Sequence, residues 1–168
     1  YNKNLPHALL FNGIKGIGKY KTAVEFVKTV HTNFNSLEQH FFEINSEENL
    51  ALIDDVRNLI SQTYLTNSNS EKKCFIVIDN ADCLNFNSYN ALLKTIEEPP
   101  ENTIIIIISH NFNRIPKTII SRCMKLDFRP LKIDEIRYFC DMNQVNLEGF
   151  DIEENYNLIG GSIEKLFL

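Results

Sequence analysis

No apolar run in this chain is long enough to cross a membrane. The blocks that stand out, such as Ile104–Ile108, are five residues, the length of a strand. No secretory or transit segment is visible, and no internal repeat or low-complexity tract interrupts the sequence. Paired cysteines are missing too. Cys74, Cys83, Cys123 and Cys140 lie far apart with no C-x-x-C, and the four histidines are equally scattered, so neither set has zinc spacing. The expectation is reduced thiols in or near the core of a cytoplasmic protein, with no metal site. Positive charge is not in excess: 17 Lys and Arg face 22 Asp and Glu, a net charge of −5. That excludes a nucleic-acid footprint over the whole surface and leaves only a local patch open. An initiator Met is absent as well, so a trimmed chain is expected.

What the chain does have is enough apolar material for a full core, at 43% hydrophobic over 168 residues. It is arranged as strand-like runs alternating with helix-like patterns. Ala8–Phe11, His40–Ile44, Cys74–Ile78, Ile104–Ile108 and Met124–Phe128 read as strands. Lys21–Val27 reads as a helix, and Asn49–Leu65 carries Leu52, Ile53, Val56, Leu59 and Ile60 at helical spacing. Thr66–Lys73 reads as an exposed loop. A further helix presents Leu92, Leu93 and Ile96 and stops at Pro99-Pro100. Continuous apolar strands alternating with helices predict an α/β fold, a parallel sheet covered on both faces. After Arg129-Pro130-Leu131 the strand pattern ends. Ile133–Met142 and Ile152–Leu168 read as helices, so the expected division is an α/β domain over 1–129 and part of a small helical domain over 130–168.

Two segments at strand ends carry chemistry. Gly13-Ile14-Lys15-Gly16-Ile17-Gly18-Lys19-Tyr20 lies between the first strand and the first helix, the context in which G-x-x-x-x-G-K cradles phosphate. Gly13, Gly16 and Gly18 let backbone N–H groups turn inward, and Lys19 supplies charge to the terminal phosphates. The last position of that pattern normally holds a Ser or Thr hydroxyl for Mg²⁺, and here it is Tyr20. A phenol oxygen lies several ångströms further out, and Thr22, two residues on, faces elsewhere. The second segment, Phe75-Ile76-Val77-Ile78-Asp79-Asn80-Ala81-Asp82, ends an apolar strand in a carboxylate, Asp79, of the kind P-loop proteins direct at the metal. Beside it, Asn80 cannot accept the proton of an attacking water. Lys15, Lys19, Lys21 and Lys28 make the first helix locally basic, read as a solvated face rather than a line of DNA contacts.

With these residues the chain resembles the AAA+ clamp-loader subunits of bacterial DNA polymerase III, most of all the delta-prime type. Leu5–Phe11 leading into the loop is similar to that family's first strand. Asn90-Ala91-Leu92-Leu93-Lys94-Thr95-Ile96-Glu97-Glu98-Pro99-Pro100 resembles its most recognisable internal segment, and Ile115–Cys123 resembles its Ser-Arg-Cys motif. Beyond 130 the likeness rests on Gly160-Gly161-Ser162. The resemblance implies a P-loop AAA+ sheet flanked by helices, followed by the start of a helical lid. It implies that Arg122 is an arginine finger acting in a neighbour's ATP site, and that Ser109 or His110 holds the polar sensor position. It also marks departures. Tyr20 and Asn80 are two, and Glu164 stands near the place of a second sensor arginine, where a carboxylate would repel phosphate. The zinc-binding cysteines that many relatives insert after the first helix are missing from Thr32–His40. A third, collar domain of the family does not fit in 168 residues.

The expected function is therefore a non-hydrolysing subunit of the DNA polymerase III clamp loader, without intrinsic ATPase. Gly13, Gly16, Gly18, Lys19 and Asp79 would form a vestigial nucleotide site requiring no cofactor and holding at most weak ATP, ADP or phosphate. The implied partners are the tau/gamma ATPase and delta subunits, with the sliding clamp and primer-template DNA as indirect ones and no membrane. Two alternatives stand beside it: an active ATPase of tau/gamma type, and a module that binds nucleotide without turnover.

Overall fold

The computed structural model describes residues 5–30, 40–45, 53–67 and 73–167. Five parallel strands, β1 (Ala8–Asn12), β2 (Phe41–Asn45), β3 (Cys74–Asp79), β4 (Thr103–Ser109) and β5 (Met124–Asp127), form one sheet in the order β2-β3-β4-β1-β5. The helices are α1 (Lys19–Val30), α2 (Ile53–Asn67), α3 (Phe86–Glu97), α4 (Lys117–Ile120), α5 (Ile133–Met142) and α6 (Ile152–Ile159). The predicted parallel α/β sheet is present.

Strand alternation distributes the apolar runs to both faces. Leu10, Ile76, Ile78, Ile105 and Ile107 pack with Val56 and Leu59 of α2 and Leu92 and Ile96 of α3. Leu9, Phe11, Phe75, Val77, Ile104, Ile106 and Ile108 pack on the other side with Ala23 and Val27 of α1. Strands β3 and β4 are buried almost throughout because each is hydrogen-bonded on both edges and covered on both faces. The edge strand β5 differs: Met124 to Asp127 are all exposed.

Helix ends follow local chemistry. The Asn85 side chain accepts from the Ser88 N–H at 2.9 Å to open α3. Asp151 accepts from the N–H groups of Glu153 and Glu154 to open α6. Gly160, at φ +61°, closes α6 in the left-handed region. The helix expected over Ile152–Leu168 therefore ends at Ile159, and only a single 3₁₀ turn, Glu164–Leu166, follows. Helix α2 runs through Thr66 and Asn67, which the sequence assigns to a loop. Residues 68–72 of that loop, 49–52 of the predicted helix and 32–39 lie outside the described residues. Helices α5 and α6 share a small core of their own, Ile136, Cys140, Ile152 and Ile159. All four cysteines are free thiols; Cys74 and Cys140 are buried, Cys123 is half-buried, and Cys83, against expectation, is exposed. No helix among the described residues is long and apolar enough to cross a membrane.

Candidate functional site

Parallel sheets open their crevices at the carboxyl ends of the strands. Here those ends bring together the loop after β1, Asp79 at the end of β3 and His110 after β4. They line a cavity of about 740 Å³ with Lys15 to Thr22 on one side and Leu131, Phe139, Ile163 and Phe167 on another. The loop has the backbone that its glycines permit. Gly16 sits at φ +78°, and a Cβ there would stand 2.2 Å from Ser162 Oγ and 2.5 Å from Glu164 Cβ. The segment after α6 thus lies directly on the loop, tied by Ile163 N donating to Gly16 O at 2.9 Å. Gly18, at φ +91°, has nothing within 4 Å of a Cβ position, so the loop is open there to a ligand's oxygens.

Lys19 is almost fully buried. Its Nζ donates to Gly13 O at 2.7 Å and Ile14 O at 2.6 Å, and lies 2.7 Å from His110 Nδ1. An ammonium has three protons and no lone pair, so Nδ1 is the acceptor and the imidazole is neutral, its proton on Nε2. Burial pushes Lys19 down to about 8, against the pull of Asp79, Asp82 and Glu164. Burial likewise holds His110 below the ordinary histidine range, and the Lys19 charge adds to that. His110 is fixed from behind, its backbone N–H donating to Asp82 Oδ1 at 2.8 Å. Ser109 is fully buried, and its Oγ accepts from the Asn111 N–H. Of the two residues considered for the sensor position, only His110 reaches the loop.

A P-loop fold implies a nucleotide with Mg²⁺. The phosphate cradle fits the first; the residues present do not fit the second. Tyr20 donates its phenol proton to Glu43 Oε2 at 2.6 Å, directing the hydroxyl to β2 rather than to the loop. The phenol is pushed up to about 12, mainly by burial and by that hydrogen bond. Thr22 Oγ1 donates to Gly18 O at 3.0 Å, spent within its own helix. Among the described residues no three His, Cys, Asp or Glu side chains gather to hold a metal ion. Asn80 occupies the left-handed region at φ +52°, where Asn is tolerated far better than Glu. Its Nδ2 donates to Asn45 Oδ1 at 2.8 Å, so a buried amide stands beside Asp79. Glu164 lies 3.7 Å from Lys15 Nζ, a carboxylate facing the loop's own cations.

Arg122 is not part of this cavity. It follows the one-turn α4, anchored by the fully buried Ile119. Its Nη2 lies 2.7 Å from Glu97 Oε1, and its Nη1 donates to Thr118 O at 3.0 Å, with both side chains of the ion pair some two-fifths exposed. Asn90–Pro100 and Ile115–Cys123, the two segments that resemble the family most, meet in this pair.

Residues 1–132 match the family described as DNA polymerase III, delta subunit. The chain belongs to that family. Among curated relatives of this DNA polymerase III family member, subunit tau of Bacillus subtilis is 30% identical over 90% of this chain and 30% of the relative. Subunit tau of Escherichia coli is 30% identical over 80% and 23%. Subunit gamma of Buchnera aphidicola (Schizaphis graminum) is 31% identical over 80% and 41%. The chain spans less than half the length of each of these relatives. The gamma subunit-related protein of Thermotoga maritima superposes with a TM-score of 0.67 at 19% identity, over 96% of this chain and 53% of that one. RuvB of the same organism superposes at 0.61 and 14%, over 83% and 45%. The fold is the AAA+ P-loop fold.

In this family member, the sequence pointed to the loop, Asp79 and the strand-end pair Ser109-His110. It did not point to Glu43, Asn45 or Asp82 as partners in the site. Position was the one signal: Asn45 ends β2, Glu43 lies in the middle of that strand, and Asp82 follows the end of β3 by three residues.

Proposed function

We propose that the chain is a delta-prime-like, non-hydrolysing subunit of the DNA polymerase III clamp loader, whose Arg122 completes the ATP site of an adjacent ATPase subunit. The observation that carries this reading is a contrast within one chain. The loop's metal position is filled by a phenol turned to Glu43, while Arg122 stands at the surface outside its own chain's cavity. A guanidinium so placed acts on phosphate only across an interface, where it stabilises charge on the transferred phosphoryl group. Asn80 and Glu164 support the same reading, since neither base nor second cation is supplied. Within this proposal the helical segment from 130 onward serves as a lid over the loop. The partners are the tau/gamma and delta subunits, and through them the clamp and primer-template DNA.

The experiment is Arg122→Ala in a reconstituted loader, read as DNA-stimulated ATPase. Turnover at the served site is expected to fall about 100-fold, the usual loss of one charge-stabilising donor. Unchanged ATPase and clamp loading would overturn the role. A second reading, an active ATPase of tau/gamma type, is favoured by the names of the relatives and by the intact Gly16, Gly18, Lys19 and Asp79. Purified chain that hydrolyses ATP, and loses this on Lys19→Ala, would establish it instead.

A further inference from the structure

We propose that His110 and Lys19 together form a metal-independent, pH-gated site for a phosphate-like dianion at the Gly13–Lys19 loop. The proposal takes from the preceding reading only that the loop does not hydrolyse nucleotide. Its starting point is that the loop's one deeply buried cation is already saturated. All three Lys19 protons point at Gly13 O, Ile14 O and His110 Nδ1, between 2.6 and 2.7 Å. An anion reaching the cradle must take one of these protons from its present acceptor. The two carbonyls are fixed by the backbone of the loop. The imidazole is the acceptor that chemistry can remove.

Protonation at Nδ1 converts that acceptor into a donor. Two cations 2.7 Å apart repel, so the Lys19–His110 contact breaks and leaves two N–H donors facing the cradle. A dianion between them replaces one favourable contact with two charge-assisted ones. This second positive charge is supplied by the chain itself, with no need of the Mg²⁺ that Tyr20 does not fit. Other charged groups set the window. Lys15 and Lys19 on the loop disfavour imidazolium, while Asp79 and Asp82 at the end of β3 favour it, with burial the largest effect and against it. Glu164 faces the same cations from the segment after α6. Glu135 of α5 lines the same cavity, but its carboxylate is engaged by Arg129 at 2.8 Å. The net result is a histidine that stays neutral at neutral pH without a ligand and charges when an anion arrives.

Sulfate is the appropriate probe because its charge stays at −2 throughout the range. A bound dianion that raises the imidazole's affinity for a proton tightens in proportion as pH falls. Sulfate affinity of the chain, followed by NMR, is expected to increase about fivefold from about pH 7.5 to about pH 6, equally with Mg²⁺ or EDTA. His110→Gln, which keeps an acceptor but cannot become a cation, is expected to bind with less than about twofold change over that range. The His110 ring resonance in the native chain is expected to titrate at higher pH with sulfate than without. Lys19→Met is expected to abolish binding at both pH values. No binding at the lower pH, an equal gain in His110→Gln, or a requirement for Mg²⁺ would each overturn the proposal. Each of those results leaves the trans role of Arg122 untouched, since Arg122 lies outside the cavity. Loss of the Arg122 role would equally leave the sulfate titration unchanged.

Discussion

Two cations of this chain, Lys19 in the glycine loop and Arg122 after α4, are deployed by the fold in opposite ways. Lys19 is buried and all its protons are taken by its own chain. Arg122 is exposed, with a carboxylate partner that solvent can screen. On the proposed function, the difference means that a nucleotide site divides: the inward half becomes structural while the outward half stays available to a neighbour. If so, damage to Lys19 should be read in stability and damage to Arg122 in assembly-level turnover. The largest expected effect is therefore the crossing of the two. Arg122→Ala should cut the served site's turnover about 100-fold while leaving the melting temperature almost unchanged, as surface substitutions usually do. Lys19→Met in the same loader should leave turnover intact. A Lys19→Met loader that loses turnover would erase the contrast.

The inward half can be tested through its glycines. Ala at Gly16 meets Ser162 Oγ and Glu164 Cβ well inside contact distance and at a left-handed φ. It should cost ~2–3 kcal/mol, or roughly 5–10 °C in melting temperature. Ala at Gly18 meets nothing and carries only the conformational cost, ~1 kcal/mol. Equal losses by thermal denaturation would show that the segment after α6 does not press on the loop. Lys19→Met is expected to fall near these values, about 1–2 kcal/mol, because it leaves two loop carbonyls without their donor.

Most of the sheet was legible. β1, β3 and β4 are continuous apolar runs because both faces and both edges are covered, and that leaves no other pattern possible. The edge strands were weaker signals for the same reason inverted: β5 is exposed along its length, so its composition is mixed. The end of α6 was misjudged because Ile163 and Leu166 continue the apolar spacing. Gly160 and Gly161, both at positive φ, override that spacing. In the site, the glycines, Lys19 and Asp79 were readable because their spacing is local. The pairings were not: Lys19 meets His110 across 91 positions, and Tyr20 meets Glu43 across 23. No periodicity encodes such contacts; the first follows from strand order, which places β4 beside β1. Arg122 with Glu97 is an intermediate case. Each lies in a recognisable segment, but nothing in either segment indicates that the two meet.

The smallest effect separates a phenol that is merely tolerated from one that is held. Tyr20 is partly exposed, so Tyr20→Phe should cost no more than about 1 kcal/mol, the usual net contribution of one hydrogen bond. Its titration is the sharper test. The folded phenol is pushed up to about 12 by burial and by the proton it gives to Glu43. A group whose folded value lies above its unfolded value of about 10 contributes fully below pH 10, and that contribution disappears as pH rises from 10 toward 12. The difference in phenolate absorbance between the native chain and Tyr20→Phe isolates this one ring from the other tyrosines. Its midpoint should lie well above 10, since the Glu43 carboxylate and the proton it shares both resist ionisation. A midpoint at the ordinary tyrosine value would mean that Tyr20 points to solvent. The metal position would then be open rather than blocked, and the division between an inward structural half and an outward acting half would lose its physical basis.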